Sequence, residues 1–141
     1  MGYFESWNLE SLQGVIDAAE RRRAPIFVGF NGEFLSRSGR LAEERLGWYA
    51  ALGRAAAASA QVPCAVVFNE CSADAWVRRA VDLGFGLVMP DDPGAEPAAF
   101  ARRVAAVAAY AHRSGVAVEA EVGQLPYAAG GQVETDQTGL T

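Results

Sequence analysis

The chain has 141 residues, 51% of them hydrophobic and 21% charged, with a formal net charge of −5 at neutral pH; this suits one folded domain with a real core and excludes a disordered chain. Its longest basic run, Arg21-Arg22-Arg23, fits a helix end better than a nucleic-acid patch, so no nucleic acid is expected as partner. No apolar run approaches the roughly 20 residues that span a bilayer, MGYFESWN lacks the regions of a signal peptide, and two cysteines make neither a disulfide framework nor a CxxC metal pattern; no membrane is expected, and the cytoplasm is the default location.

Gly2 to Ser6 reads as a short strand, with Tyr3 and Phe4 suited to burial. Asn8 is placed to cap a helix, with Glu10 in its positive first turn and Leu9, Leu12, Val15, Ile16 and Ala19 on one face. Pro25 to Phe30 is a continuous apolar run, the pattern of a strand buried on both faces. Asn31-Gly32 breaks it and matches a common turn dipeptide. A helix is expected from about Arg40 to Ala60, with Leu41, Trp48, Leu52 and Ala55 inward.

Pro63 opens a third strand, Val66-Val67-Phe68, that ends on Asn69 and Glu70. Ser72 is the expected cap of the next helix, with Trp76, Val77, Ala80 and Val81 buried. Leu87-Val88-Met89 is a fourth strand ending at Pro90-Asp91-Asp92. A helix from about Pro97 to Ser114 carries Phe100, Val104, Val107 and Ala111 inward, and Gly115 closes it. Val116 to Val122 is a fifth strand. Residues 1–123 therefore form the expected domain, and 124–141 a Gly-rich loop and tail.

Strands alternating with helices predict a parallel α/β sheet with right-handed crossovers. Two architectures fit: an open doubly wound sheet, or the first five strands of a barrel. No GxGxxG or GxxxxGK[ST] supports the dinucleotide or P-loop versions.

Several stretches are similar, in order and spacing, to class II ketose-bisphosphate aldolases, the metal-dependent fructose- and tagatose-bisphosphate aldolases. They are Gly2-Tyr3-Phe4 with Asn8 to Gln13, Val62-Pro63, Ala80 to Phe85 with Val88-Met89, Tyr110 to Val116, and above all Val118-Glu119-Ala120-Glu121-Val122-Gly123. The resemblance covers essentially the whole chain. It implies a TIM (β/α)8 barrel, here a partial barrel of five strands, with the site on the C-terminal face. It also implies reversible aldol cleavage of a phosphorylated ketose, assisted by a divalent metal, usually zinc, acting as a Lewis acid.

In that family an Asp at the end of the third strand moves the hydroxyl proton, and the His after it binds the metal. The matching positions here are Asn69 and Glu70. Asn69 can hydrogen-bond a hydroxyl but not take its proton, so aldolase turnover by this chain alone is not expected. Glu70 can bind a metal through oxygen. By resemblance Glu121 is the second metal-ligand candidate, and a site of Glu70, Glu121 and Asp91 would favour magnesium, manganese or calcium over zinc. Glu134 follows Gly130-Gly131 as an acidic residue follows a Gly-Gly pair in the family's loop, where it helps proton transfer. Asn31 lies where the family places a residue near substrate.

The family's later strands, with two more metal His residues and the phosphate loops, have no counterpart in these residues. His112 is no replacement; its place at a helix C-terminus explains it. Cys71 is a small filler. Glu119 and Glu121 share one strand face. The expected partners are a phosphorylated sugar and, for a partial barrel, a second copy or a C-terminal half that covers the open strand edges. The competing function is therefore a non-catalytic half-barrel that binds or builds rather than turns over substrate.

Overall fold

The computed structural model describes residues 1–39 and 41–121. Glu134, Val122 and the tail 124–141 lie outside the described residues. Within them, β1 (Gly2–Glu5), β2 (Ile26–Asn31), β3 (Cys64–Cys71), β4 (Leu87–Pro90) and β5 (Ala117–Val118) form one parallel sheet in the order β1-β2-β3-β4-β5. Each new strand is added on the same side. A doubly wound sheet reverses direction partway, so this order selects the barrel-type winding.

Winding in one direction with right-handed crossovers puts every helix on one face of the sheet. The helices are α1 (Leu9–Arg22), α2 (Gly32–Ser36), α3 (Leu46–Ser59), α4 (Asp74–Asp82) and α5 (Pro97–Ala111). The core lies between them and the outward strand residues Val28, Phe30, Val66, Phe68 and Val88, all buried. Phe68 meets Phe85 edge to face at 5.5 Å, and Phe30 meets Tyr49 at 5.2 Å. Burying each of the three phenylalanine rings stabilises the fold by about 2–3 kcal/mol. Val67 and Met89 are also buried but outside this cluster, as period two requires of residues facing the other side.

Several expectations change. Asn8 does cap α1, through a capping box with Ser11, but Leu9 is exposed, as is Phe4 on the outer face of β1. The third helix starts at Leu46, not near Arg40, and it buries Leu46, Ala50 and Gly53. Leu41, Trp48 and Ala55, expected inward, are exposed. The reason is contact distance. A Cβ on Gly53 would come within 2.8 Å of Val66, so the helix uses its smallest residue to lie against β3. A count of apolar side chains cannot see that. Asn31-Gly32 is not a turn: Asn31 ends β2 and caps α2, its Oδ1 accepting from the Phe34 amide at 3.1 Å. Ser72 does not cap α4, whose N-cap is Ala73; the Ser72 hydroxyl instead donates to Glu33 at 2.7 Å. The fifth strand pairs only at Ala117–Val118, extended by the Glu119 amide donating to Val88 O.

Candidate active site

Parallel strands bring their C-terminal ends to one rim of the sheet, and there the register sets Asn31 of β2 beside Asn69 of β3. Glu5 ends β1, opposite Gly29. Gly29 is required there: a Cβ would stand 2.2 Å from the Val67 carbonyl oxygen and 3.0 Å from the Tyr3 ring. Period two puts Tyr3 and Glu5 on one face, the inner one, with Gly29, Asn31, Val67 and Asn69.

Glu70 joins this face by a break in the rule. Phe68 pairs with Val88 and Cys71 with Pro90, so three steps on β3 match two on β4. The extra residue is a bulge, and Glu70 sits in it at φ 47°, the left-handed region. Holding a non-glycine residue there costs on the order of 1–2 kcal/mol. The bulge lets Asn69 and Glu70, neighbours that a regular strand would send to opposite faces, contribute to one hydrogen-bonded cluster. It also returns Cys71 to the core, where it is fully buried and its thiol is pushed up by that burial.

Two amides knit the cluster. Asn31 Nδ2 donates to Glu5 Oε1 at 3.0 Å and to Glu70 Oε2 at 2.9 Å. Asn69 Nδ2 donates to the same Glu5 Oε1 at 3.3 Å. Burial raises the Glu70 carboxyl above its ordinary range; the Asn31 amide pulls it back, and the charges of Glu5, Asp91 and Glu121 push it up. Asp91 is also raised, first by burial, then by Glu33 and Asp92, with the Asp92 backbone amide and Arg103 opposing. The Tyr3 hydroxyl, buried and near these carboxylates, is raised far above its usual value.

Arg103 of α5 fixes the two loops that flank the cluster. Its Nη1 donates to Asp91 O at 2.9 Å, its Nη2 to Cys71 O at 3.2 Å and Ser72 O at 2.8 Å, and its Nε pairs with Asp74 at 2.6 Å. One fork of donors thus ties the end of β3 to the end of β4.

Of the residues singled out from sequence, the structure joins Asn31, Asn69 and Glu70 directly. Glu121 and Asp91 reach Glu70 through electrostatics. Glu119 is exposed, and His112 is exposed in the turn before β5, at the rim where strands begin. Glu5 and Arg103 were missed. Glu5 had one signal: it ends the first strand as Asn31 ends the second, in a chain whose strands turn out parallel. Arg103 had none, since three of its partners are backbone carbonyls and the fourth, Asp74, lies 29 positions away.

A parallel sheet wound in one direction, helices outside and polar groups at the C-terminal strand ends, defines the (β/α)-barrel class of scaffold. The family model "Fructose-bisphosphate aldolase class-II" matches residues 1–141. A fructose-bisphosphate aldolase of Thermus caldophilus is 32% identical over 128 residues, covering 89% of this chain and 39% of that protein. A sulfofructosephosphate aldolase of Alkalicoccus urumqiensis is 28% identical over 125 residues, covering 89% and 42%. The crystal structure of the YdjI aldolase from Escherichia coli K12 superposes with a TM-score of 0.76 at 25% identity, over 89% of this chain and 45% of that one. The chain therefore belongs to the class II fructose-bisphosphate aldolase family. It spans about two-fifths of the length of these curated relatives, matching their N-terminal part.

This is a metal-dependent family. The described residues do not by themselves fit a metal: among them no three His, Cys, Asp or Glu groups stand close enough to hold one. Glu70 stands where the resemblance places a histidine ligand, and its Oε2 is engaged by Asn31. Among the described residues, no helix is long and apolar enough to cross a membrane.

Proposed function

We propose that this chain forms part of an enzyme that cleaves a phosphorylated ketose by a reversible aldol reaction. The observation that carries this is the convergence of Glu5, Asn31, Asn69 and Glu70 at the C-terminal ends of β1, β2 and β3, the rim where barrel enzymes bind substrate. Asn69 orients a substrate hydroxyl, since its side chain keeps donor and acceptor capacity, and Asn31 serves substrate binding beside it by holding the carboxylates of Glu5 and Glu70 in place. Glu134, by resemblance, assists proton transfer from its loop. Were a divalent ion to join this site, Glu70 and Glu121 would hold it through carboxylate oxygens, a donor set that favours magnesium or manganese over zinc.

The test uses the full-length protein with fructose 1,6-bisphosphate and tagatose 1,6-bisphosphate, following triose phosphate release with and without a chelator. Cleavage abolished by the chelator is the expected result. No cleavage of either sugar under any metal supplied overturns the proposal.

A second reading rests on a different observation. β1 and β5 are edge strands among the described residues, and beside β1 the large apolar side chains Phe4, Trp7 and Leu9 are exposed. Such an edge invites a covering strand and helix. The domain then serves as a half-barrel that pairs with a second copy or with a C-terminal half. Light scattering on the purified chain checks this, and a well-behaved monomer counts against it.

A further inference from the structure

We infer that Glu5 is the carboxylate that accepts the substrate's hydroxyl proton, standing in for the residue at position 69. The inference rests on the aldol-cleavage reading above. Position 69 carries an amide, which cannot take a proton at ordinary pH. The amide's own hydrogen-bond partner is a carboxylate: Asn69 Nδ2 donates to Glu5 Oε1 at 3.3 Å. A proton acceptor therefore stands one hydrogen bond away from where the family's acid/base residue would be.

Three features favour Glu5 over the other carboxylates of the rim. Among the described residues it is the carboxylate bonded to residue 69, whereas Glu70 is bonded to the Asn31 amide. It is held by two amides, from β2 and β3, that converge on one oxygen and leave Oε2 outside that pair of bonds. It is also carried by a regularly paired strand rather than a loop or, as Glu70 is, a bulge: β1 pairs in register through Glu5 and Gly29, and the next amide, Ser6, donates to Gly29 O at 2.9 Å. A general base needs this fixed placement within hydrogen-bond reach of the proton it removes.

In the cleavage direction the step balances as follows. The C3–C4 bond of the ketose breaks. The C4 hydroxyl loses its proton to Glu5 and becomes the carbonyl of the released aldehyde. The electron pair of the broken bond stays with the C1–C3 fragment as its enediolate, which takes a proton from solvent at C3 to become dihydroxyacetone phosphate, matching the one that Glu5 releases. Glu5 returns its proton to solvent.

The test uses the full-length protein, with E5Q, N69D and the double variant E5Q/N69D. Two reactions are followed: cleavage of fructose and tagatose 1,6-bisphosphate, and exchange of the C3 hydrogen of dihydroxyacetone phosphate with deuterated water. Exchange needs no C4 hydroxyl. E5Q is expected to lower cleavage about 100- to 10,000-fold while exchange persists. Adding N69D to E5Q, which moves the carboxylate from β1 to β3, is expected to restore cleavage at least about tenfold over E5Q. If E5Q does not fold, E5D, which withdraws the carboxylate by one methylene, is expected to lose cleavage and keep exchange. Cleavage by E5Q (or by E5D in its place) at the unmodified rate, or loss of exchange together with cleavage, overturns the inference and leaves the aldolase reading standing. An unmodified protein that neither cleaves nor exchanges overturns both.

Discussion

On the helix-covered face of the sheet, Val28, Phe30, Val66, Phe68 and Val88 are apolar, buried and packed on helices. On the opposite face, at the ends of the strands, stand Glu5, Asn31, Asn69 and Glu70, joined by hydrogen bonds, with burial and the Glu5 charge both pushing the Glu70 carboxyl up. Adjacent residues of β3, Phe68 and Asn69, belong to different regimes. One face stabilises the domain by removing apolar area from water. The other holds polar groups in geometries that folding alone would not choose, including a carboxylate on a left-handed backbone.

The largest break in this comparison comes from Phe68→Ala, which is expected to cost about 4 kcal/mol in chemical denaturation, whereas Asn69→Ala beside it costs about 1 kcal/mol or less. Equal effects would show that the two faces are not divided as described. Next is Arg103→Ala, expected to cost about 2 kcal/mol because three backbone carbonyls lose charged donors. It should also raise amide hydrogen exchange around residues 71–74 and 91–92 while leaving α1 unchanged; unaltered exchange there would mean that Arg103 does not hold the site's loops.

The smallest effect is Glu70→Gln, which keeps an acceptor for Asn31 and removes the charge. Because the Glu70 carboxyl is raised in the folded state, the native protein binds that proton more tightly than the unfolded chain. Its favourable contribution is present below the ordinary value of 4.5 and is lost as pH rises through the raised native value. Glu70→Gln should therefore stabilise the protein at neutral pH, by less than about 1 kcal/mol after solvent screening, and the gain should vanish as the pH falls below 4.5. A gain that grows on acidification would contradict the charge crowding described at this rim.

Asn69 and Glu70 were legible as a site position from the resemblance and from their place at a strand end. Their joint action with Glu5 was not. A strand's alternation predicts opposite faces for Asn69 and Glu70, and only the bulge against β4 overrides it. Asn31 was misjudged as a turn because Asn-Gly suits turns, while here its amide and carbonyl are consumed by two carboxylates and a helix cap. The inner stripe of α3 failed for a similar reason: the close approach at Gly53 depends on the facing Val66 and Phe30, which lie on other strands.

By itself the sequence determined what depends on neighbours along the chain: the alternation of strands and helices, the Asn8 cap, the apolar period of most helices, and the family motifs. The tertiary structure decided what depends on partners far apart in sequence. It chose one-directional winding over a doubly wound sheet, set Glu5 beside residues 26 and 64 positions away, and placed Arg103 across two loops. Side-chain chemistry is written locally, but a site is a set of distances, and those are fixed only when strand register and bulge bring separate segments to one rim.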